Sequence, residues 1–161
     1  MKLLLSKNTL WFLLAGVVVT AADQFTKNLV VASFHPYESH PVLGSVLGIY
    51  LTYNDSAAFS IGFGITWIFT IISSIATLAL IWFGRKAKTR RWSILAGVLL
   101  GGVAGNLIDR ITRAPGFPAG QVVDFIQVPF NFPIFNFADS AICIVVGIVL
   151  ILIARGHKIG G

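Results

Sequence analysis

Four stretches of this chain, residues 9–27, 65–83, 93–111 and 138–154, are apolar over nearly the length a bilayer requires. A helix rising ~1.5 Å per residue needs about 20 such residues to cross the hydrocarbon core. The punctuation between them agrees. All six prolines (Pro36, Pro41, Pro115, Pro118, Pro129 and Pro133) fall outside the spans, where a missing backbone donor breaks no helix in lipid. Composition closes the alternative: 56% of the 161 residues are hydrophobic and 11% charged, less than half the charge of a soluble domain. A soluble fold of this size buries only about 70% of its unfolded surface, and would leave much apolar surface in water.

The first span is the weakest, since its apolar run stops at Asp23. It also resembles a cleavable leader, with Lys2, an apolar stretch from Leu10 to Val19 and then Thr20-Ala21-Ala22. Three further spans favour a retained helix. The fold class expected is therefore an all-α polytopic membrane protein of four transmembrane helices, one domain over residues 1–161.

Charge gives an orientation. With the N-terminus, the 84–92 loop and the tail in the cytoplasm, nine of the twelve Lys and Arg lie inside. Trp11, Trp82 and Trp92 then sit near the inner interface. The net charge of +6 follows this placement and forms no aromatic-interleaved basic face, so nucleic acid is not an expected partner. All six acidic residues gather on the outer side, with the two connections 34–60 and 112–135. Residues 46–53 of the first are rich in strand formers, which predicts a small β-rich element at the outer interface. The second, rich in Phe and Pro, is expected to ride on the bilayer surface.

Ionisable groups at membrane depth are functional candidates by default. Asp23 and Lys27 are four apart, so a helix puts them on one face, where a structural ion pair is the plain reading. Asn106, Asp109 and Arg110 share a face at the end of the third span. Asp124 sits among apolar neighbours in Val122-Val123-Asp124-Phe125-Ile126. Asn136 and Asp139 stand where the last span starts and suit a helix cap. Two carboxylates in one interfacial pocket share a proton, leaving one as base and the other as acid, which suits water attack on an amide.

Other chemistries find no support. His35, His40 and His157 form no zinc-peptidase pattern, and no nucleophile elbow, phosphate loop or dinucleotide fingerprint occurs. The single Cys143 excludes an intramolecular disulfide and a Cys-based zinc cluster, and reads as a core filler of the last span. Gly97, Gly101 and Gly105 recur every four residues in the third span, a pattern for close helix packing.

Five short motifs occur in order: Asp23-Gln24-Phe25-Thr26-Lys27, Asn54 through Phe59, Gly101-Gly102-x-x-Gly105-Asn106-x-x-Asp109-Arg110, Val122-Val123-Asp124-Phe125, and Phe135-Asn136-x-Ala138-Asp139-Ser140-Ala141. Together they resemble the bacterial lipoprotein signal peptidases (signal peptidase II) over nearly the whole chain. The resemblance implies an intramembrane aspartic endopeptidase of the bacterial inner membrane. Its substrates would be diacylglyceryl-modified prolipoproteins, met within membrane lipid and cut before the lipidated Cys. By motif, Asp124 and Asp139 would be the catalytic pair, with Asp23, Lys27, Asn54, Asn106, Arg110 and Asn136 supporting them or binding substrate. No metal or other cofactor is implied. One position departs from the pattern: Ser56 stands where the family usually has Gly, and a Gly needed at φ > 0 would make Ser strained by roughly 1–2 kcal/mol. The rival reading is a small proton-coupled transporter or channel, which would place ionisable groups near mid-membrane, whereas here they gather at one face.

Overall fold

The computed structural model describes residues 6–55 and 66–159. It contains four helices long and apolar enough to cross a membrane: α1 (Lys7–Ser33), α2 (Thr66–Gly84), α3 (Arg90–Thr112) and α4 (Phe137–Ala154). A three-stranded antiparallel sheet, β1 (Ser39–Leu43), β2 (Leu47–Asn54) and β3 (Val122–Gln127), sits at one end of the bundle in the order β1-β2-β3.

Helix α3 is the centre, and α1, α2 and α4 all pack on it. Its small residues explain why. A Cβ on Gly97 would fall on the backbone carbonyl of Phe12, and one on Gly101 would lie 2.7 Å from the Gly16 carbonyl oxygen. Gly102 faces the other way, 2.9 Å by the same measure from the carbonyl of Ala138 on α4. Lipid tails offer helices no hydrophobic reason to associate, so such close backbone packing does the holding. Gly105 ends the stripe differently: a Cβ there would collide with the Asp23 carboxylate.

Helix α1 runs six residues past the expected end at Lys27. Asp23 and Lys27 interrupt the apolar run in the sequence, yet both are fully buried against α3, so the helix has no reason to stop. It ends at Ser33, where the Phe34 N–H still bonds to the Val30 carbonyl at 3.0 Å. Thr89 and Ser6 cap the starts of α3 and α1, each accepting from a backbone N–H in the first turn.

One expectation needs correction. Cys143 is exposed on the outer face of α4 and fills no core; α4 buries only Ala138, Ala141 and Val145, and apolar side chains facing lipid need no protein neighbour. Trp92 belongs to the core, packed with Leu95 and Val145, while Trp82 remains exposed.

The second connection also does more than ride on a surface. Val122-Val123-Asp124-Phe125-Ile126 forms most of β3, paired with β2 so that Thr52 lies opposite Asp124 and Asn54 opposite Val122. The β-branched and aromatic run carried that signal. Leu51, Val123 and Phe125 bury one sheet face against Val30 of α1, which anchors the strand to the bundle.

Candidate active site

Asp124 and Asp139 arrive from different elements. Asp124 is in β3 and 2% exposed, while Asp139 is the third residue of α4 and half-buried. Asn136, fully buried, joins them. As the N-cap of α4 its side-chain oxygen accepts from the Asp139 N–H at 3.0 Å, and Asp139 Oδ2 accepts the Asn136 backbone N–H at 3.1 Å. This reciprocal capping box satisfies two donors of the first turn. The Asn136 side-chain NH2 has two hydrogens and three acceptors within reach: Asp124 Oδ1 at 2.7 Å, Asn106 Oδ1 at 3.0 Å and the Val123 carbonyl at 3.3 Å. The shortest goes to Asp124.

Two further amides complete the set. Asn54 Nδ2 donates to Asp124 Oδ2 at 2.8 Å, and Asn106 Nδ2 donates to Asp139 Oδ1 at 2.8 Å. Burial pushes the Asp124 carboxyl up to about 7, and the nearby charge of Asp139 adds to the rise. The hydrogen bonds from Asn54 and Asn136 pull it down without reversing it. A carboxyl near neutrality can hold or release a proton at working pH.

Behind the amides lies a charged layer. Lys27 has no exposed surface, and all three of its ammonium hydrogens have acceptors: Asp23 Oδ2 at 2.8 Å, Asp109 Oδ2 at 2.8 Å and Asn106 Oδ1 at 2.9 Å. Asp23 Oδ1 also accepts the Ala138 N–H at 3.0 Å, in the first turn of α4, where the helix dipole favours an anion. Asp109 is equally occupied, taking the Val123 N–H at 3.2 Å, Arg113 Nε at 2.7 Å and Gln24 Nε2 at 3.2 Å. Removing one partner from such a buried cluster costs about 3–5 kcal/mol. Arg110 is buried at the same end, its guanidinium carbon 5.4 Å from the Phe69 ring centroid.

The eight residues singled out in the sequence thus lie at one end of the bundle, and one hydrogen-bond network joins Asp23, Lys27, Asn54, Asn106, Asp124, Asn136 and Asp139. Three members had no assigned role: Asp109, Gln24 and Arg113. Helical spacing does connect them, since Arg113 is four residues from Asp109 and Asp109 three from Asn106. Ser56 lies outside the described residues. A cavity of about 580 Å³ beside the β1–β2 hairpin, bordered by Ser39, Tyr50, Gln127 and Phe130, includes none of the eight. The chemistry marks the site better than that hollow does. Among the described residues no cluster of three or more His, Cys, Asp or Glu is arranged to hold a metal ion.

Four membrane-length helices around an amide-held pair of carboxylates, one buried and one half-buried, define a polytopic membrane protein with a polar site at one end of its bundle. Comparison with known proteins names the family. Residues 15–155 match Signal peptidase (SPase) II. The chain is 42% identical over 146 residues to a lipoprotein signal peptidase of Leifsonia xyli subsp. xyli, covering 91% of this chain and 68% of that protein. It is 40% identical over 152 residues to one from Halalkalibacterium halodurans, covering 91% and 94%. A solved bacterial membrane enzyme superposes with a TM-score of 0.76 at 34% identity, over 89% of this chain and 86% of the other. The chain belongs to the signal peptidase II family, and is a multi-pass membrane peptidase.

Proposed function

We propose that this peptidase removes the signal peptide from diacylglyceryl-modified prolipoproteins, cutting before the lipidated Cys by an aspartic mechanism within the membrane. One observation carries the reading: Asn136 holds both carboxylates, donating its side-chain amide to Asp124 at 2.7 Å and its backbone N–H to Asp139 at 3.1 Å. Carboxyls gathered this way do not both ionise easily, so the pair keeps one proton.

The reaction follows from that proton. The ionised carboxylate takes a proton from water as the water oxygen attacks the scissile carbonyl. The protonated partner gives its proton to the carbonyl oxygen, forming a tetrahedral intermediate. Collapse re-forms the carbonyl and breaks the C–N bond: one hydroxyl returns its proton to the second carboxylate, and the proton taken from water passes to the leaving amine of the Cys. Water is the nucleophile, and the chemistry calls for no metal or organic cofactor.

Asn54, Asn106 and Asn136 aim the carboxyl groups. Asp23 and Lys27 act as internal support, since Lys27 has no exposed surface and its three hydrogens are already engaged. Arg110 is assigned to the polar part of the substrate. The site's position at the helix ends suits a substrate whose acyl chains hold its Cys at the bilayer surface, each buried CH2 adding about 0.8 kcal/mol of membrane affinity. The charge bias of the loops supports both termini in the bacterial cytoplasm and the site at the outer face of the inner membrane.

The test is cleavage of modified and unmodified precursor by purified protein in detergent, for wild type and for Asp124→Asn and Asp139→Asn. Turnover should need the lipid and both carboxyls. Near wild-type rates in either variant would remove the dyad, and equal cleavage of unmodified precursor would remove the lipid requirement.

A further inference from the structure

We propose that the basic end of α2 is a binding site for one anionic phospholipid, with an acyl chain in an apolar groove and the phosphate between Arg85 and Lys86. The groove has a volume of about 520 Å³ and runs along the lipid-facing side of α2, lined by Ile75, Leu78, Ala79, Ile81, Trp82 and Phe83, with Arg85 at its end. Ile75 and Arg85 are ten residues apart, which along a helix is about 15 Å, or half of the ~30 Å hydrocarbon core. The groove therefore covers the depth of a single leaflet and stops where headgroups begin.

At that stop the side chains are arranged for an anion. The Arg85 guanidinium carbon and the Lys86 ammonium lie 4.7 Å and 4.4 Å from the centroid of the Trp82 ring. Both cations are thereby held at the groove mouth by a ring that supplies no oxygen acceptor to their donors. Phosphate oxygens fill that need. The loop beneath is fixed to the bundle: the Lys86 and Ala87 N–H groups bond to the Phe83 and Gly84 carbonyls at 3.0 and 3.1 Å, and Asn8 donates to the Lys88 carbonyl at 2.6 Å.

Charge complementarity selects the occupant. Residues 85–91 hold five cations, and all six acidic residues of the chain lie within 23–55 or 109–139. Among the described residues, no ion pair involves Arg85, Lys86, Lys88, Arg90 or Arg91. A zwitterionic headgroup would bring its own cation into this field, whereas an anionic one brings only the complement.

Trp82 is half-exposed at the groove and can report the contact. With Trp11, Trp67 and Trp92 replaced by Phe, its fluorescence is followed in phosphatidylcholine vesicles containing either chain-brominated phosphatidylglycerol or chain-brominated phosphatidylcholine. Half-quenching is expected at an about threefold lower mole fraction of the brominated anionic lipid, with the preference reduced by high salt. The preference should vanish in Arg85→Gln/Lys86→Gln. Equal quenching by the two lipids would overturn the proposal, as would a preference that survives the double substitution. Should the single-Trp protein fail to fold, native mass spectrometry of wild type and of the double variant reads the same question. Selective retention of phosphatidylglycerol by wild type alone supports the site, and equal retention by both overturns it.

Discussion

Two pairs of carboxylates lie at the end of the bundle, and their hydrogen-bond partners differ. Asp23 and Asp109 meet the Lys27 ammonium at 2.8 Å each, and Asp109 also meets Arg113. Asp124 and Asp139 accept hydrogen bonds from the neutral amides of Asn54, Asn106 and Asn136, with the charge of Arg110 close by. A cation in contact holds a carboxylate ionised, while an amide fills its lone pairs without fixing its charge. The first group ties α1 to α3 through ion pairs. The second is held by amides, the arrangement on which the proposed mechanism rests.

Substitutions can break that contrast, and the largest effect is expected at the amide-held pair. Asp124→Asn and Asp139→Asn should each lower turnover at least 10²–10⁴-fold, the usual worth of a general acid or base, while melting in detergent stays cooperative. Loss of folding in both variants would place these carboxyls in the structural group instead. Lys27→Met should do the reverse. It leaves Asp23 and Asp109 facing each other without their shared cation, and destabilisation of about 3–5 kcal/mol is expected from thermal unfolding.

Asn136→Ala tests the joint between the groups and should be milder. Losing an N-cap costs roughly 0.5–2 kcal/mol, and freeing Asp124 from its 2.7 Å bond should lower kcat more than it changes KM. An unchanged kcat would mean that Asp124 is aimed by Asn54 alone.

The smallest signal is in pH. Asp124 titrates at about 7 in the folded protein against an ordinary 3.8. Between those values the folded state keeps a proton that the unfolded chain has lost, so this group's contribution to stability falls as pH rises from about 4 to about 7 and levels off above. Asp124→Asn should flatten that slope in melting temperature against pH. The rate should show a bell whose apparent constants belong to the pair, with the alkaline limb following loss of the shared proton. A rate that stays level on the alkaline side would show that no shared proton is needed.

How much of this was legible beforehand varies with distance along the chain. Asp23 and Lys27, four residues apart, could be paired from helical spacing alone. The second carboxylate on the same ammonium, Asp109, lies 82 positions from Lys27 and no local pattern announces it. The capping box of Asn136 and Asp139 is local and was readable as a cap; its extension to Asp124 and Asn106 was not. Strand β3 had its β-forming residues in plain view, but its partner β2 ends 68 positions earlier, and the intervening helices hid the pairing.

The sequence by itself determined the number of spans, the segregation of acids from bases and the polar residues that could do chemistry, because apolar length, charge placement and residue type are local quantities. Tertiary structure alone decided which carboxylates meet the Lys27 ammonium and which meet neutral amides. That choice depends on how closely α1 and α3 approach over Gly97, Gly101 and Gly105, which brings Lys27 to Asp109 and Asn106. It depends equally on β3 packing against Val30, which fixes Asp124 in its buried place. A carboxyl's proton affinity is set by its surroundings, and those surroundings exist only once the helices and the sheet have met.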